Sequence, residues 1–349
     1  MKIAIGTNIK DGPWGGGNAF AMNLSSYLIE CGHSVVFKLF DKDIDIILLT
    51  EPRKLTETSS FNHKDISEYI SAINKNTVVF HRINECDERK NTDYMNEYLI
   101  ESNRIADVTI FVSEWLKDLY IKEGIKKDNL HTIKAGANRE FFNPNNLEVW
   151  NKNEKLRIVT HHWGTNKNKG YDIYKYIDKL ISKEPWENMI EFTFIGNLPK
   201  NYTFKNSKVI KPLYGKELGN ELKKNHVYIT GSLFEPSGNH HIEAAQCGLP
   251  ILYIDSGGTS EYCNNFGIEY TIDNLEDKIS LFMENSSEYY ENMQYYPNDS
   301  KVMSKEFLEL FSFYNKSRSE IIKKRSLPNI NVMKKLYINI KFKIKSLFK

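Results

Sequence analysis

The sequence has few cysteines and no cysteine pair at a spacing typical of a metal site or a redox motif. Four cysteines stand among 349 residues, and they are Cys31, Cys86, Cys247 and Cys263. Because C-x-x-C spacing is missing, we expect reduced thiols in a cytosolic protein, without disulfides or a metal cluster. The sequence also lacks an H-E-x-x-H motif and a serine nucleophile elbow, and its D-x-D pairs, Asp41 with Asp43 and Asp43 with Asp45, are explained by the edge of a strand. No metal cofactor is therefore expected.

Long apolar runs are also missing. No run approaches the ~18 residues that would cross a bilayer, and the N-terminal residues start on a strand pattern without the apolar region of a signal peptide. We therefore expect a soluble cytoplasmic protein. The net charge of +2 gives no reason to expect nucleic acid as a partner. With 40% hydrophobic and 13% aromatic residues, the chain can form two packed cores, and its length favours two domains.

Short β-rich apolar runs alternate with longer amphipathic stretches, which is typical of an α/β protein with parallel sheets. The polar segment 143–153 lacks periodicity and predicts a linker. We assign 1–145 to a first Rossmann-like domain, 154–300 to a second, and 301–349 to a helical region. The predicted strands are Lys2–Thr7, Val35–Phe40, Asp45–Leu49, Thr77–His81, Val108–Val112, His131–Lys134, Leu156–His161, Glu191–Ile195, Lys208–Ile210, Val227–Thr230 and Pro250–Ile254.

Two glutamates eight residues apart form the sharpest motif. Glu235 stands in a loop with Pro, Ser and Gly, and Glu243 lies just over one turn inside the following helix of small residues. A helix N-terminus offers unpaired N–H groups and a partial positive charge, which suit a sugar diphosphate. A carboxylate at Glu243 can accept hydrogen bonds from ribose hydroxyls.

The segment 235–250 resembles the E-x7-E motif of the retaining glycosyltransferases of family four, which have the GT-B fold. The likeness continues into 255–261, which is similar to that family's D-x-G-G-x-x-E. The resemblance implies an α/β protein of the GT-B fold, with two facing Rossmann-like domains, the first on the acceptor side, and a C-terminal helical tail. It implies that the donor sugar and the nucleotide ribose are held by Glu235, Gly238, Asn239 and Glu243.

A second likeness follows the first strand of the second domain. The family has Gly-Arg, a short loop and Lys-Gly there, and its Arg and Lys balance the charge of the leaving nucleoside diphosphate without a metal. Lys169 with Gly170 fits the Lys-Gly pair, but His161, His162 and Trp163 stand where the arginine is expected. Either Lys167 or His162 substitutes for it, or the phosphate site is remodelled.

The loop 10–18 contains three successive glycines, which let a backbone approach a ligand closely. A nicotinamide fingerprint would need a third glycine where Phe20 stands, so an oxidoreductase is disfavoured. The family has a similar loop that faces the donor phosphate. Gly16 and Gly17 are therefore predicted to contact the donor.

A polar cluster follows the buried strand pattern that ends at His81, at the position where α/β sheets bind ligands. In similar enzymes a histidine at the end of this strand lies near the reacting sugar. The predicted catalytic residues are His81, Glu235 and Lys169. The predicted acceptor-binding residues are Arg82, Asn84 and Asp87. Gly196 and Asn197 are predicted to frame the nucleobase of the donor.

The C-terminal segment 323–349 has nine Lys or Arg residues and no Asp or Glu. Large apolar residues recur at helical spacing among the lysines: Met333, Leu336, Tyr337, Ile340, Ile344, Leu347 and Phe348. This pattern predicts a basic amphipathic helix that contacts an anionic membrane surface. A helix docked on the protein body is the alternative.

The resemblance implies a hexosyltransferase that moves a sugar from a nucleotide donor, UDP-linked in preference to GDP-linked, to an acceptor hydroxyl with retention. Assembly of a surface polysaccharide, a lipopolysaccharide or a glycolipid, at the inner face of the cytoplasmic membrane, is the expected setting. Two alternatives stay open. A non-catalytic partner subunit that keeps the fold and binds a sugar nucleotide weakly or not at all would explain the missing arginine, and a GT-B nucleotide-sugar epimerase would turn over donor without an acceptor.

Overall fold

The computed structural model describes residues 1–12, 14–53, 57–126, 128–325 and 330–346. The strands are β1 Lys2–Ile5, β2 Ser34–Val36, β3 Ile46–Leu49, β4 Val78–Ile83, β5 Val108–Phe111, β6 Leu130–Thr132, β7 Leu156–His162, β8 Ile190–Gly196, β9 Lys208–Ile210, β10 Val227–Thr230, β11 Ile251–Tyr253 and β12 Gly267–Glu269. The α-helices are α1 Gly16–Glu30, α2 His63–Ala72, α3 Asp87–Lys90, α4 Met95–Asn103, α5 Glu114–Lys122, α6 Tyr171–Leu180, α7 Trp186–Met189, α8 Gly215–Leu222, α9 Asn239–Gln246, α10 Thr259–Cys263, α11 Leu275–Met293, α12 Ser300–Lys316, α13 Arg318–Lys324 and α14 Val332–Ser346.

The chain divides into two compact units, each with one six-stranded sheet. The first unit comprises Met1–Asn84, Asp93–Ile133 and the described residues from Lys301 onward, and the second comprises Glu85–Thr92 and Lys134–Ser300. Every paired strand runs parallel to its neighbour. Such sheets need apolar strands because helices cover both faces.

The first sheet has the order β2-β1-β3-β4-β5-β6. Since strand side chains alternate between faces, Ile3 and Ile5 pack into one core cluster and Ala4 into the other. The first cluster includes side chains of α1 and α12, and the second includes side chains of α2. Phe311 of α12 lies with its ring centroid 4.8 Å from that of Phe80.

The second sheet has the order β12-β11-β10-β7-β8-β9. Ile158 and Val159, adjacent residues of β7, pack into different core clusters on the two faces. Trp150 is buried in the first of these clusters and Phe142 in the second.

The compact units therefore group the residues differently from the predicted boundaries at 145, 154 and 300. Trp150, which lies in the segment interpreted as a linker, is part of the second core. Side chains of helix α12 pack into the core of the first unit. No helix among the described residues is long and apolar enough to cross a membrane.

Candidate functional site

The chain order of the second sheet reverses at β7, which lies between β8 and β10. Ligands of open α/β sheets bind outside the carboxyl ends of the strands at such a reversal. The segments 163–170 and 231–238 follow β7 and β10. They contain Lys167, Lys169, Glu235 and Gly238.

Glu235 is a buried carboxylate with a cation on each oxygen. It is 4% exposed, with Oε2 2.5 Å from Lys169 Nζ and Oε1 2.9 Å from Arg89 Nε. Burial alone would raise the pKa of Glu235, but the charges of Arg89 and Lys169 outweigh it and hold this pKa well below the usual value. Arg89 Nη1 lies 3.0 and 2.8 Å from the two carboxylate oxygens of Glu85. The four residues form one charge-paired cluster within the second unit.

Lys169 has an unusually low pKa within this cluster. The pKa of its ammonium is lowered to about 8, first by burial and then by the charge of Arg89, and the charge of Glu235 and its hydrogen bond offset this only in part. Lys169 therefore stays protonated at neutral pH and loses its charge in mildly alkaline solution.

Local backbone structure positions Lys169. Lys169 is the last residue of a short 3₁₀ helix, Lys167–Lys169. In the same helix, the side-chain amide of Asn168 donates a hydrogen bond to the carbonyl oxygen of Glu88 at 2.8 Å. This bond ties the segment after β7 to α3. Gly170 follows with a φ of 87°, and a Cβ there would lie 2.4 Å from the backbone of Gly231, so only glycine fits.

The loop of Glu235 rests on the segment that resembles D-x-G-G-x-x-E. Gly258 donates its backbone N–H to the carbonyl oxygen of Glu235 at 2.9 Å. A Cβ on Gly257, whose φ is 72°, would lie 2.6 Å from the backbone N and O of Glu235. The glycine pair therefore allows the close approach of the two segments.

Helix α9 begins directly after this loop, and the residue before its first turn is Gly238, whose φ is 60°. Within the described residues no side chain caps its N-terminus, so the first N–H donors, at Asn239 and His240, are suited to an anionic ligand. Glu243, in the second turn, has Oε2 2.9 Å from His161 Nε2. Its side chain keeps 19% of its surface exposed.

Neither substitute considered for the missing arginine provides a buried cation. His162 is buried with Nε2 2.6 Å from the Tyr174 hydroxyl, and burial lowers its pKa well below the usual value, so it is neutral. The side chain of Lys167 is exposed. The guanidinium beside Lys169 and Glu235 belongs instead to Arg89.

Sequence reasoning did not single out Arg89. It stands in the charged run 85–90 that follows β4, from which Asp87 was selected as an acceptor contact. Arg89 is 146 residues from Glu235 along the chain, and no local spacing signals such a pair. Asp87 itself begins α3 and accepts a hydrogen bond from the Thr92 hydroxyl at 2.5 Å.

Gly196 and Asn197 lie at the end of β8, beside the end of β7. The backbone N–H of Asn197 donates a hydrogen bond to the carbonyl oxygen of His162 at 3.2 Å. Its side-chain amide donates another to the carbonyl oxygen of Trp163 at 2.9 Å. A Cβ on Gly196 would lie 1.9 Å from the His162 carbonyl oxygen. Both predicted base contacts are therefore held next to the segment that carries Lys169.

The other predicted residues lie in the first unit. Gly16 and Gly17 begin α1, and Pro13 of the same loop lies outside the described residues. His81 is fully buried in β4, with Nδ1 3.1 Å from Asn103 Oδ1. Two further residues are predicted acceptor contacts: Arg82, whose guanidinium lies 4.0 Å from the ring centroid of Phe20, and Asn84, which follows β4 half-buried.

Residues 143–299 match the family model described as glycosyl transferases group 1. The second unit carries a glycosyl transferases group 1 domain. The match includes Lys169, Glu235 and Glu243, whereas Arg89 lies outside it. No curated protein is similar enough in sequence to count as a relative.

Solved structures of low sequence identity share the fold of nearly the whole chain. Sucrose-phosphate synthase from Thermosynechococcus elongatus has 13% identity and a TM-score of 0.62, over 90% of this chain and 99% of that one. HepE from Anabaena, in complex with UDP, has 14% identity and a TM-score of 0.67, over 90% and 100% of the two chains. A glycosyltransferase from Rickettsia africae has 15% identity and a TM-score of 0.59, over 93% and 99%. These similarities confirm the predicted GT-B fold.

Proposed function

We propose that this chain transfers a hexose from a nucleotide-sugar donor to an acceptor hydroxyl, with retention and without a metal ion. The observation that carries the proposal is the buried Glu235 between Lys169 and Arg89, directly before the uncapped N-terminus of α9. The glycosyl transferases group 1 match of the same segment supports it.

Charge balance is the main chemical demand of this reaction. The bond between the anomeric carbon and the diphosphate oxygen breaks, and the nucleoside diphosphate leaves with negative charge that preorganised donors must stabilise. Lys169, Arg89 and the first N–H groups of α9 supply such donors. In this proposal Arg89 replaces the arginine that is missing after β7.

The two glutamates orient the donor. A carboxylate has about four acceptor sites on its two oxygens, so Glu235 can bind sugar hydroxyls while it keeps its ion pairs. Glu243 binds the ribose hydroxyls, and its contact with His161 fixes the side chain for that role. Asn239 contributes at the start of α9, and Gly196 and Asn197 frame the base.

A uridine nucleotide is the proposed donor. HepE, which shares the fold, has been solved with UDP and with UDP-glucose, and this favours UDP over GDP here. The predicted roles in the first unit stay part of the proposal: Gly16 and Gly17 at the donor phosphate, His81 at the reacting sugar, and Arg82 and Asn84, with Asp87, at the acceptor. The proposed acceptor is a surface polysaccharide, lipopolysaccharide or glycolipid precursor on the cytoplasmic side of the membrane.

The non-catalytic alternative depended on the lack of a second phosphate cation, and Arg89 is the proposed replacement for that cation. Thermal unfolding of the purified chain with UDP, GDP, ADP and their common sugar conjugates tests the donor class. We expect UDP compounds to raise the melting temperature, since a ligand at 100 times its Kd stabilises by about 2.7 kcal/mol. No shift with any nucleotide would instead favour the non-catalytic subunit.

Turnover separates the remaining possibilities. We expect UDP release that depends on an added glycan acceptor and a product whose anomeric configuration, measured by NMR, matches that of the donor. Conversion of the donor sugar without an acceptor would support the epimerase. An inverted product would contradict retention while leaving sugar transfer intact.

A further inference from the structure

Helix α14 has two apolar faces, and protein covers one of them. Ile338 and Phe342 are 4% and 7% exposed, and the ring centroid of Phe342 lies 6.3 Å from that of Tyr69 in α2. Lys341 Nζ of α14 lies 3.2 Å from Oε2 of Glu68, which is also in α2. These contacts fix which side of α14 packs on the first unit.

The opposite side presents large apolar side chains to solvent. Six residues of α14 are each between 50 and 82% exposed: Val332, Met333, Leu336, Tyr337, Ile340 and Ile344. At 3.6 residues per turn they fall within an arc of about 140°, directly opposite Ile338 and Phe342. Soluble proteins rarely expose so many neighbouring apolar side chains without a binding role.

Positive charge accompanies this exposed apolar face. The sequence of α14 contains no acidic residue, and its lysines are Lys334, Lys335, Lys341, Lys343 and Lys345. Lysines beside an apolar helix face bind anionic lipid headgroups. The helix has 15 residues, so at 1.5 Å per residue it is ~22 Å long and too short to cross a ~30 Å hydrocarbon layer.

We propose that α14 binds the chain to an anionic membrane surface, with its exposed apolar face among the headgroups and its lysines on the anionic lipids. A second copy of the chain is a poorer occupant, because a two-fold contact through this face would bring two sets of lysines together. The sequence predicted membrane contact for 323–349, and the structure narrows the contact to one face of α14. Leu347 and Phe348 lie outside the described residues.

Binding of the full chain to vesicles, measured by co-sedimentation without donor or acceptor, tests this proposal independently of the proposed function. We expect binding to vesicles that contain phosphatidylglycerol, weak binding to phosphatidylcholine alone, and a decrease with added salt. Neutralising Lys334, Lys335 and Lys343 to Gln should lower the partition coefficient about 100-fold at low salt. The matched control neutralises three exposed lysines elsewhere, Lys155, Lys216 and Lys305, and should bind like the wild type.

A second variant tests the apolar face. Combined Leu336→Ser, Ile340→Ser and Ile344→Ser should abolish vesicle binding while leaving the melting temperature unchanged, because Ile338 and Phe342 still dock the helix. Equal binding to both vesicle types, no binding by the wild type, or wild-type binding by the Lys334/Lys335/Lys343 variant would overturn the proposal. So would a wild-type dimer in analytical ultracentrifugation that the serine variant abolishes without any vesicle binding.

Discussion

Arg89 and Glu235 are 146 residues apart in the sequence, yet Arg89 Nε lies 2.9 Å from Glu235 Oε1. Lys169 holds the other oxygen of the same carboxylate. Both oxygens of one buried carboxylate, in the loop directly before α9, are therefore paired with cations. In the proposed function these two cations stabilise the departing diphosphate.

Replacing Arg89 should weaken nucleotide binding. Arg89→Ala removes one charge-assisted hydrogen bond to the diphosphate, so we expect the Kd for UDP, measured by calorimetry, to rise about 10- to 100-fold. Arg89→Lys should recover part of the lost affinity, because lysine keeps the positive charge but lacks the planar guanidinium that can donate two parallel hydrogen bonds. The control is Lys90→Ala, since Lys90 pairs only with Glu85 in this cluster and is more exposed; an equal loss there would contradict a specific role for Arg89.

Glu243 should matter for the nucleoside and not for the phosphates. We expect Glu243→Ala to raise the Kd for UDP about 10-fold, because hydrogen bonds from the ribose hydroxyls to a charged acceptor are lost, and to leave the Kd for inorganic pyrophosphate unchanged. Glu284→Gln, at an exposed site on α11, serves as the control. Parallel losses for both ligands would refute a ribose contact.

The pKa of Lys169 predicts a pH dependence of binding. Its folded-state pKa of about 8 lies below the ordinary value of 10.5, so the free protein loses this charge as the pH rises through about 8. A bound diphosphate favours the ammonium form, so UDP affinity should fall above pH 8 and binding near pH 8 should take up a proton. Calorimetry in buffers of different ionisation enthalpy measures this uptake, and Lys169→Arg should abolish it; an uptake that persists in the variant would assign the proton to another group.

Gly257 should be required by the loop of Glu235. Gly257→Ala adds a Cβ 2.6 Å from the backbone of Glu235 at a φ of 72°, so we expect a loss of about 2–4 kcal/mol in the free energy of unfolding together with weaker UDP binding. Gly32→Ala is the matched control, because Gly32 also has a positive φ of 80° but open space around its Cβ position. It should cost only about 1 kcal/mol, and an equal loss for the two variants would show that the close contact is unimportant.

Much of the fold follows from local pattern. Lys208–Ile210 and Val227–Thr230 are strands with the predicted bounds, because short β-rich runs between amphipathic stretches are typical of strands in an α/β protein. The edge strand Gly267–Glu269 and the long helix Leu275–Met293 were missed. Gly267–Glu269 has one buried residue, Ile268, so its pattern does not predict a strand, and its pairing with β11 determines its structure.

The candidate site likewise contains residues that the local sequence indicates and one residue that only the folded structure indicates. Glu235, Gly238 and Glu243 could be found because one loop and one helix carry them within a few residues. Arg89 could not, because its contact with Glu235 depends on how residues 85–92 pack in three dimensions. The apolar spacing predicts α14 as a helix, but only packing shows that Ile338 and Phe342 are on its covered side.

The segment 85–92 belongs to the second unit although the residues before and after it belong to the first. The region that matches the family model is therefore not self-sufficient: a polypeptide limited to residues 134–300 would contain Glu235, Lys169 and Glu243 but would lose the guanidinium. A substitution at Arg89 would therefore change the charge beside Glu235 without any change inside the motif that identifies the domain.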